Sequence, residues 1–352
     1  MTLASADRWV RVRRLFESAI ELPSEQRLPF VSAACADDHE SRADVLQLLE
    51  ADESAVDLPV DRDCTRAEPG IDGRMPEVLG FTLTRRLGAG GTSRVFEAIC
   101  RENDARVAIK VMNAGANAQA MLRFRQESRV LARLDHPSIV RLYESGHTQD
   151  GHVYLAMDFV DGDCIDRWCE SASVDLCTRV ELALQVLEAL GHAHAAGVVH
   201  RDIKPHNILV DRGGRVRLVD FGVARLHRDD GNRTGFRTET GNLVGTFAYM
   251  SPEQADGKAS RVGPPTDVYQ TALVLFELLT GELPYDVEDR GAMALLKAVL
   301  FERRRRLSEL RPELDGPLDE VLHGALDADP AKRPQTVQQF AAQLRAALAS
   351  MA

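Results

Sequence analysis

Along residues 5–53 the apolar positions recur at helical spacing, with Trp9, Val12, Phe16, Ala19 and Ile20 on one face. Pro23-Ser24 interrupts the pattern and predicts a break and cap for a second helix reaching about Cys35. Val45, Leu46 and Leu49 form the stripe of a third. From Ser54 to about Met75 the periodicity is lost and Asp, Pro and Gly collect, which predicts a linker. At Leu79 the period shortens to two. FTLTRRL, SRVFEAIC and RVAIKVM alternate apolar and polar residues between turn signals and predict strands. A helix is predicted over Ala118 to Leu134, followed by two strands, VRLYESG and HVYLAMDFV. After Asp161 the pattern is mainly helical, apart from short strands such as ILVD and VRLVD. A small β-rich unit therefore precedes a larger α-rich one, with no fixed-period repeat.

Composition narrows the function. The 352 residues suit two or three packed units, and 44% hydrophobic content is enough for a proper core. A net charge of −11 argues against a nucleic-acid binder, which needs a dominant basic surface to displace counterions. Cys35, Cys64, Cys100, Cys164, Cys169 and Cys177 form no CxxC pair and no zinc-like spacing with histidine, so reduced thiols are expected. MTLASADRW has no basic-then-apolar signal region, and Thr271 to Thr280 is too short for a membrane span and holds Glu277. It reads as a buried core helix, and a cytoplasmic location is expected.

The chemistry begins at Gly88-Ala89-Gly90-Gly91-Thr92-Ser93-Arg94-Val95, between two predicted strands. Glycines there let the backbone approach a triphosphate and aim N–H groups at its oxygens, though such a hairpin is more often a plain turn. A dinucleotide fingerprint would need a helix directly after the loop, and SRVFEAIC is a strand. Lys110 follows in Val107-Ala108-Ile109-Lys110. A lone strand lysine usually snorkels to solvent, but Glu127 on the next predicted helix is an available partner that would hold the ammonium charged.

The most specific segment is Val199-His200-Arg201-Asp202-Ile203-Lys204-Pro205-His206-Asn207-Ile208-Leu209, with Asp220-Phe221-Gly222 eighteen residues beyond Asp202. Magnesium takes oxygen ligands and retains waters, so Asn207, Asp220 and nucleotide phosphates suit it. Asp202 is then free to orient an attacking hydroxyl and take its proton, and Lys204 to offset charge on the moving phosphoryl group.

These motifs, in this order, resemble the eukaryotic-like protein Ser/Thr kinases of bacteria, over roughly Leu79 to Leu348. The resemblance implies an α+β, bilobal protein-kinase fold, with a small β-rich N-lobe (79–160) and a larger α-helical C-lobe (161–349). A small all-helical N-terminal module (1–53) and a linker (54–78) would precede this kinase domain (79–349). It implies that Gly88, Ala89, Gly90, Gly91 and Val95 cover the phosphates of ATP and that Lys110, braced by Glu127, holds the α- and β-phosphates. Asp202 would be the catalytic base, with Lys204 assisting and Asn207 and Asp220 binding Mg²⁺, or Mn²⁺ in its place. Asp158 carbonyl and Val160 N–H would meet the adenine at the hinge, with Met157 behind it. Val95, Ala108 and Leu209 would sandwich the ring. Lys204 is similar to the residue that marks kinases of Ser and Thr in protein substrates. A non-catalytic pseudokinase would require a lost lysine, base or metal ligand, and none is lost.

Three further expectations come from the resemblance. Glu253, in a Ser-Pro-Glu variant of the usual motif, should pair with Arg333, and Asp267 should steady the catalytic loop. Gln270-Thr271-Ala272 replaces a more usual Ser-Leu-Gly, with no reading attached. Thr238 and Thr240, eight and six residues before Thr246, match sites of autophosphorylation, and a phosphate there would bring about −1.5 to −2 charge within reach of Arg201. Trans-autophosphorylation would imply a homodimer. The N-terminal helices read equally as packing against the kinase domain or as docking a partner. Arg303 to Arg306 reads as a solvated helix end or, alternatively, a patch for acidic substrates. His192 and His194 read as core or surface histidines rather than metal ligands.

Overall fold

The computed structural model describes residues 75–90, 93–112, 132–221, 247–257, 259–285 and 292–351, together with 22–35 and a few further positions between 15 and 49. The helix expected over 118–134 falls largely outside these residues, as do most of the linker and the stretch 222–246.

Near the N-terminus, α1 (Ser24–Ala34) starts at Ser24, with Pro23 rather than serine in the cap position. Val31 of α1 packs with Ala19, Cys35, Val45 and Leu49 in a small core, so the apolar stripes converge. Asp38 caps the turn that follows, accepting the Ser41 N–H at 3.0 Å and its hydroxyl at 2.6 Å.

The alternating segments form a five-stranded antiparallel sheet in the order β1-β2-β3-β5-β4. Its strands are β1 (Phe81–Gly90), β2 (Ser93–Cys100), β3 (Arg106–Met112), β4 (Leu142–His147) and β5 (Val153–Asp158). Period two sorts the side chains. Phe96, Ala98, Val107, Ile109, Val111, Tyr154 and Ala156 share one core cluster, so Ala108 and Lys110 point to the opposite face. The register pairs Val95 with Lys110 and Ala108 with Met157. Since paired residues share a face, Val95, Ala108, Lys110 and Met157 line the same side of the sheet. Both edges are irregular: β1 shifts register between Leu83 and Arg85 and again between Arg86 and Gly88, and β4 between Leu142 and Glu144.

The strand expected to run to Val160 stops at Asp158. There the Asp158 carboxylate meets Arg217 at 2.6 Å and accepts the Tyr143 hydroxyl, while Arg106 covers the Phe159 ring at 4.1 Å. The chain then enters a second, larger unit. It holds a small sheet of β6 (Gly162–Cys164), β7 (Ile208–Asp211) and β8 (Val216–Leu218), and the helices α2 (Ile165–Ser171) and α3 (Leu176–Ala195). A Cβ on Gly162 would lie 2.1 Å from the Val210 carbonyl oxygen, so only glycine lets β6 sit against β7.

Further helices follow: α4 (Pro252–Ala255), α5 (Pro264–Thr280), α6 (Ala292–Phe301), α7 (Leu307–Leu310), α8 (Pro317–Ala325) and α9 (Val337–Met351). α3 packs on α5 and α9, with the side chains of all three in one large core. α5 is buried from Thr266 to Phe276, as expected of the most apolar stretch, and Gly281 ends it in the left-handed conformation, φ 80°. Among the described residues no helix is long and apolar enough to cross a membrane.

One member of the arginine run turns inward. Arg304 is only 7% exposed, and its guanidinium reaches the Tyr269 hydroxyl and the Val299 carbonyl. Arg303 is bidentate to Glu309, Arg305 meets Glu282 at 3.0 Å, and Arg306 meets Asp319 at 2.9 Å. The run clamps α7 and α8 to α5 and α6, so the solvated-end reading holds for Arg303, which is 70% exposed, and not for Arg304.

Candidate active site

The segment from His200 to Lys204 is irregular, ahead of a single 3-10 turn at Pro205–Asn207, so buried side chains hold its backbone in place of a helix or strand ladder. Asp267 projects from the first turns of α5 with no exposure. Its Oδ2 accepts the His200 N–H at 2.9 Å and its Oδ1 the Arg201 N–H at 2.8 Å, and Oδ2 also lies 2.7 Å from His194 Nε2. One turn along the same helix, Gln270 accepts the Ile203 N–H at 3.1 Å. Arg201 has φ 66°, which costs a non-glycine residue energy and persists only where its surroundings over-determine it.

His200 is fully buried and serves as a spacer. Its Nε2 lies 3.0 Å from the Val219 carbonyl, and its Nδ1 accepts the Asp202 N–H at 3.3 Å. That pattern assigns a neutral ring protonated on Nε2. Burial pushes its pKa down, against the pull of the nearby carboxylates. The Phe221 ring packs on it with centroids 4.5 Å apart.

The polar groups of the site gather on this frame. Lys204 Nζ lies 3.2 Å from Asp202 Oδ2, and Asn207 Nδ2 donates to the same oxygen at 3.0 Å and to the Asp202 carbonyl at 2.7 Å. Because an amide is planar, these bonds turn the Asn207 Oδ1 away from Asp202. The β7–β8 pairing then carries Val219 back to Asn207, whose carbonyl accepts the Val219 N–H at 3.0 Å. The next residue, Asp220, takes φ 58° and leaves the strand direction. From the first sheet, Lys110 Nζ reaches Asp220 Oδ2 at 2.7 Å. Lys110 and Asp220 thus pair across the two units, and the cluster of Asp202, Lys204 and Asn207 is linked to them through the Val219–Asn207 backbone bond.

On the sheet face above it lie Val95, Ala108 and Met157, and β1 pairs with β2 as far as Gly90↔Ser93, passing Gly88 and Ala89. Gly88 has open space where a Cβ would stand. Leu209 lies half-buried on β7. The Asp158 side chain is committed to Arg217, Tyr143 and the Arg141 N–H, and its backbone N–H donates to the Arg141 carbonyl at 3.0 Å. Among the described residues no group accepts the Val160 N–H. Gly91, Glu127, Thr238 and Thr240 lie outside the described residues.

Farther out, Arg333 and Glu253 form a bidentate pair at 2.9 and 2.8 Å, both side chains with no exposure. Thr266 donates to Glu253 Oε1 at 2.7 Å, and the guanidinium lies 4.6 Å from the Tyr269 ring centroid. Burial alone would raise the Glu253 carboxyl, but the Arg333 guanidinium and the Thr266 hydroxyl outweigh it and hold it below the ordinary range.

Sequence reasoning noted Gln270 without a role and passed over Gln254; both bond to the backbone flanking Asp202. The available signal was a lone amide three residues after Asp267 in an apolar run, a spacing that puts both on one helical face. His192, noted alongside His194, stacks on His136 at 5.3 Å.

A family model described as protein kinase domain matches residues 81–344. The chain is 36% identical over 275 residues to the serine/threonine-protein kinase PknJ of Mycobacterium tuberculosis, covering 76% of this chain and 45% of that protein. It is 35% identical over 276 residues to PknB of Mycolicibacterium smegmatis, covering 76% and 42%. PrkC of Bacillus subtilis is 33% identical over 273 residues, covering 76% and 40%. The chain therefore spans less than half the length of these curated relatives.

Proposed function

The chain belongs to the protein kinase domain family and has its two-lobed fold, and from that premise we propose that it transfers the γ-phosphoryl group of ATP to serine and threonine hydroxyls of proteins. The observation that carries this reading is the linked group of Lys110, Asp202, Lys204, Asn207 and Asp220, assembled from both lobes.

Asp202 is the general base. Its Oδ2, held by Asn207 and Lys204, receives the proton of the attacking hydroxyl. Lys204 is placed to offset charge as it builds on the transferred group. Asn207 and Asp220 hold Mg²⁺, or Mn²⁺ in its place. The donor set fits: one amide oxygen turned outward and one carboxylate, a hard-cation pair that leaves the remaining positions to phosphates and water. Bound nucleotide and metal supply the phosphoryl group and the positive charge that draws electrons from it.

Lys110, presented by β3 beside Asp220, holds the α- and β-phosphates, braced by Glu127. Gly88, Ala89, Gly90, Gly91 and Val95 cover the phosphates. Asp158 carbonyl and Val160 N–H pair with the adenine, Met157 closes the space behind, and Ala108, Leu209 and Val95 sandwich the ring. Asp267 and the Glu253–Arg333 pair support the loop. Thr238 and Thr240 are the sites of autophosphorylation in trans between two copies, the phosphate drawn to Arg201. Residues 1–53 form an all-helical module, joined to the kinase domain by the linker 54–78, whose helices dock partners, and the whole acts in the cytoplasm.

Incubating the chain with labelled ATP and Mg²⁺ beside Asp202→Asn and Lys110→Ala tests the reading. Label on protein Ser/Thr in the parent alone is expected, with Asp202→Asn down by about 10²–10⁴-fold. Equal labelling in all three, or none in any, would undo it.

A further inference from the structure

Gln270 is 1% exposed, inside a helix whose neighbouring positions are buried. A buried amide without partners is strongly unfavourable, and this one makes contacts at both ends. Its Oε1 accepts the Ile203 N–H at 3.1 Å. Its Nε2 faces three oxygens: the Tyr249 carbonyl at 3.1 Å, Gln254 Oε1 at 3.1 Å and the Arg201 carbonyl at 3.3 Å. With only two hydrogens on the nitrogen, at least one is shared. The orientation is unambiguous chemically, because a flipped amide would set its oxygen against three oxygens.

Gln254 completes the arrangement. Its Nε2 donates to the same Arg201 carbonyl at 2.8 Å, and its Oε1 accepts the Ser251 N–H at 3.1 Å. The residues on both sides of Asp202 are therefore tied to one side chain: Arg201 through its carbonyl, Ile203 through its N–H. The same side chain grips Tyr249 and Gln254, at the C-terminal end of the stretch that holds Thr238 and Thr240. Arg201 is the residue with φ 66°, and Asp267 holds its N–H while the two amides hold its carbonyl.

We propose that Gln270 is a positioning residue, which makes the aim of Asp202 conditional on the seating of the Tyr249–Gln254 segment. The proposal rests on the kinase reading above and deepens it. When Tyr249–Gln254 is seated, the Gln270 Nε2 is pinned and its Oε1 holds Ile203, so Asp202 is presented at one angle. When it is not, the Arg201 carbonyl loses its shorter donor, Gln254 Nε2, and Gln270 Nε2 loses two of the three oxygens that fix it. Nucleotide affinity does not pass through this amide, because Lys110, Asp220 and the sheet face do not touch it. The coupling therefore acts on the transfer step.

The test uses the full chain and compares parent, Gln270→Met, Gln254→Leu and the double variant. Gln270→Met keeps volume while removing donor and acceptor. kcat on a Ser/Thr peptide is read with KM for ATP, direct Mg·ATP binding and thermal midpoint. Misplacement of a reacting group by about 1 Å costs on the order of 100-fold, so Gln270→Met is expected to lower kcat about 10- to 100-fold with KM for ATP changed less than about twofold. Gln254→Leu, at a half-buried position, should show the same split at about 3- to 10-fold. It carries the test should Gln270→Met not fold. The double variant should fall little below Gln270→Met, since residues acting as a unit are not additive. A lowered thermal midpoint with kcat kept in Gln270→Met, or a parallel loss of ATP affinity, overturns the proposal and leaves the kinase reading standing. A parent that binds Mg·ATP and transfers nothing overturns both.

Discussion

Two ion pairs of this molecule do different work, and exposure separates them. Glu253–Arg333 is bidentate with no exposure on either side chain, whereas Lys110–Asp220 is a single contact whose side chains are 16% and 34% exposed. The first lies among Thr266, Pro265, Ala328 and Asp327, which satisfy its remaining donors and acceptors. The second lies in the cleft, where solvent screens it and where the proposed function gives each partner a second task. A charge that holds the fold is dry and saturated with hydrogen bonds. A charge that serves chemistry stays partly wet, so that it can exchange partners.

The largest effect on stability is expected at the dry pair. Arg333→Met strands the Glu253 carboxylate in the core, and loss of one partner of a buried pair costs about 3–5 kcal/mol. Urea unfolding should show it, and a loss below 1 kcal/mol would place this pair with the surface kind.

Acid should reach the two regions in order. His200 has a folded pKa below its ordinary 6.5, so its neutral ring contributes stability that is complete above that value and lost as pH falls toward the folded pKa. Glu253 has a folded pKa below 4.5; its contribution is complete above 4.5 and lost as pH falls through the folded value. The urea midpoint should therefore begin to decline below about pH 6.5 and fall further below about 4.5. A flat midpoint from pH 7 to pH 5 would contradict the neutral, doubly bonded imidazole.

At the wet pair the sign of the comparison reverses. Lys110→Ala should cost about 1 kcal/mol or less in stability, because a part-exposed pair is screened, while ATP-dependent labelling is lost. A variant that unfolds instead would show that the cleft pair is structural. The smallest effect belongs to Arg303→Ala, on the exposed pair with Glu309. That carboxyl is held down to about 2, first by Arg303 and then by the Arg306 N–H. No resolvable shift of the urea midpoint is expected at pH 7, whereas Arg304→Ala, which removes a buried guanidinium, should be plainly visible.

Legibility followed range along the chain. Alternation in SRVFEAIC and RVAIKVM set the strands and their two faces, since side-chain period is a local property. The spacing of Asp202, Asn207 and Asp220 was equally plain, because one short hairpin joins them. Partners contributed from afar were not. The four arginines from Arg303 looked basic and open, yet Tyr269, Glu282, Glu309 and Asp319 absorb them, and nothing local announces those matches. Gln270 was visible as a departure from the familiar motif but had no role until Tyr249, Gln254 and Ile203 were seen around it. The strand through Val160 was overrun because Phe159 and Val160 continue an apolar run, while the stop at Asp158 depends on Arg217, far along the chain.

The irregular margins of the first sheet bear on how two copies could meet. β1 has two register shifts and carries Arg85 and Arg86, and β4 has one shift beside Glu144. Bulges twist an edge and charges repel an incoming strand, so neither margin offers a straight row of amides for another molecule to zip onto. The margins of this sheet therefore disfavour strand-to-strand growth, which guards the sheet against runaway polymerisation.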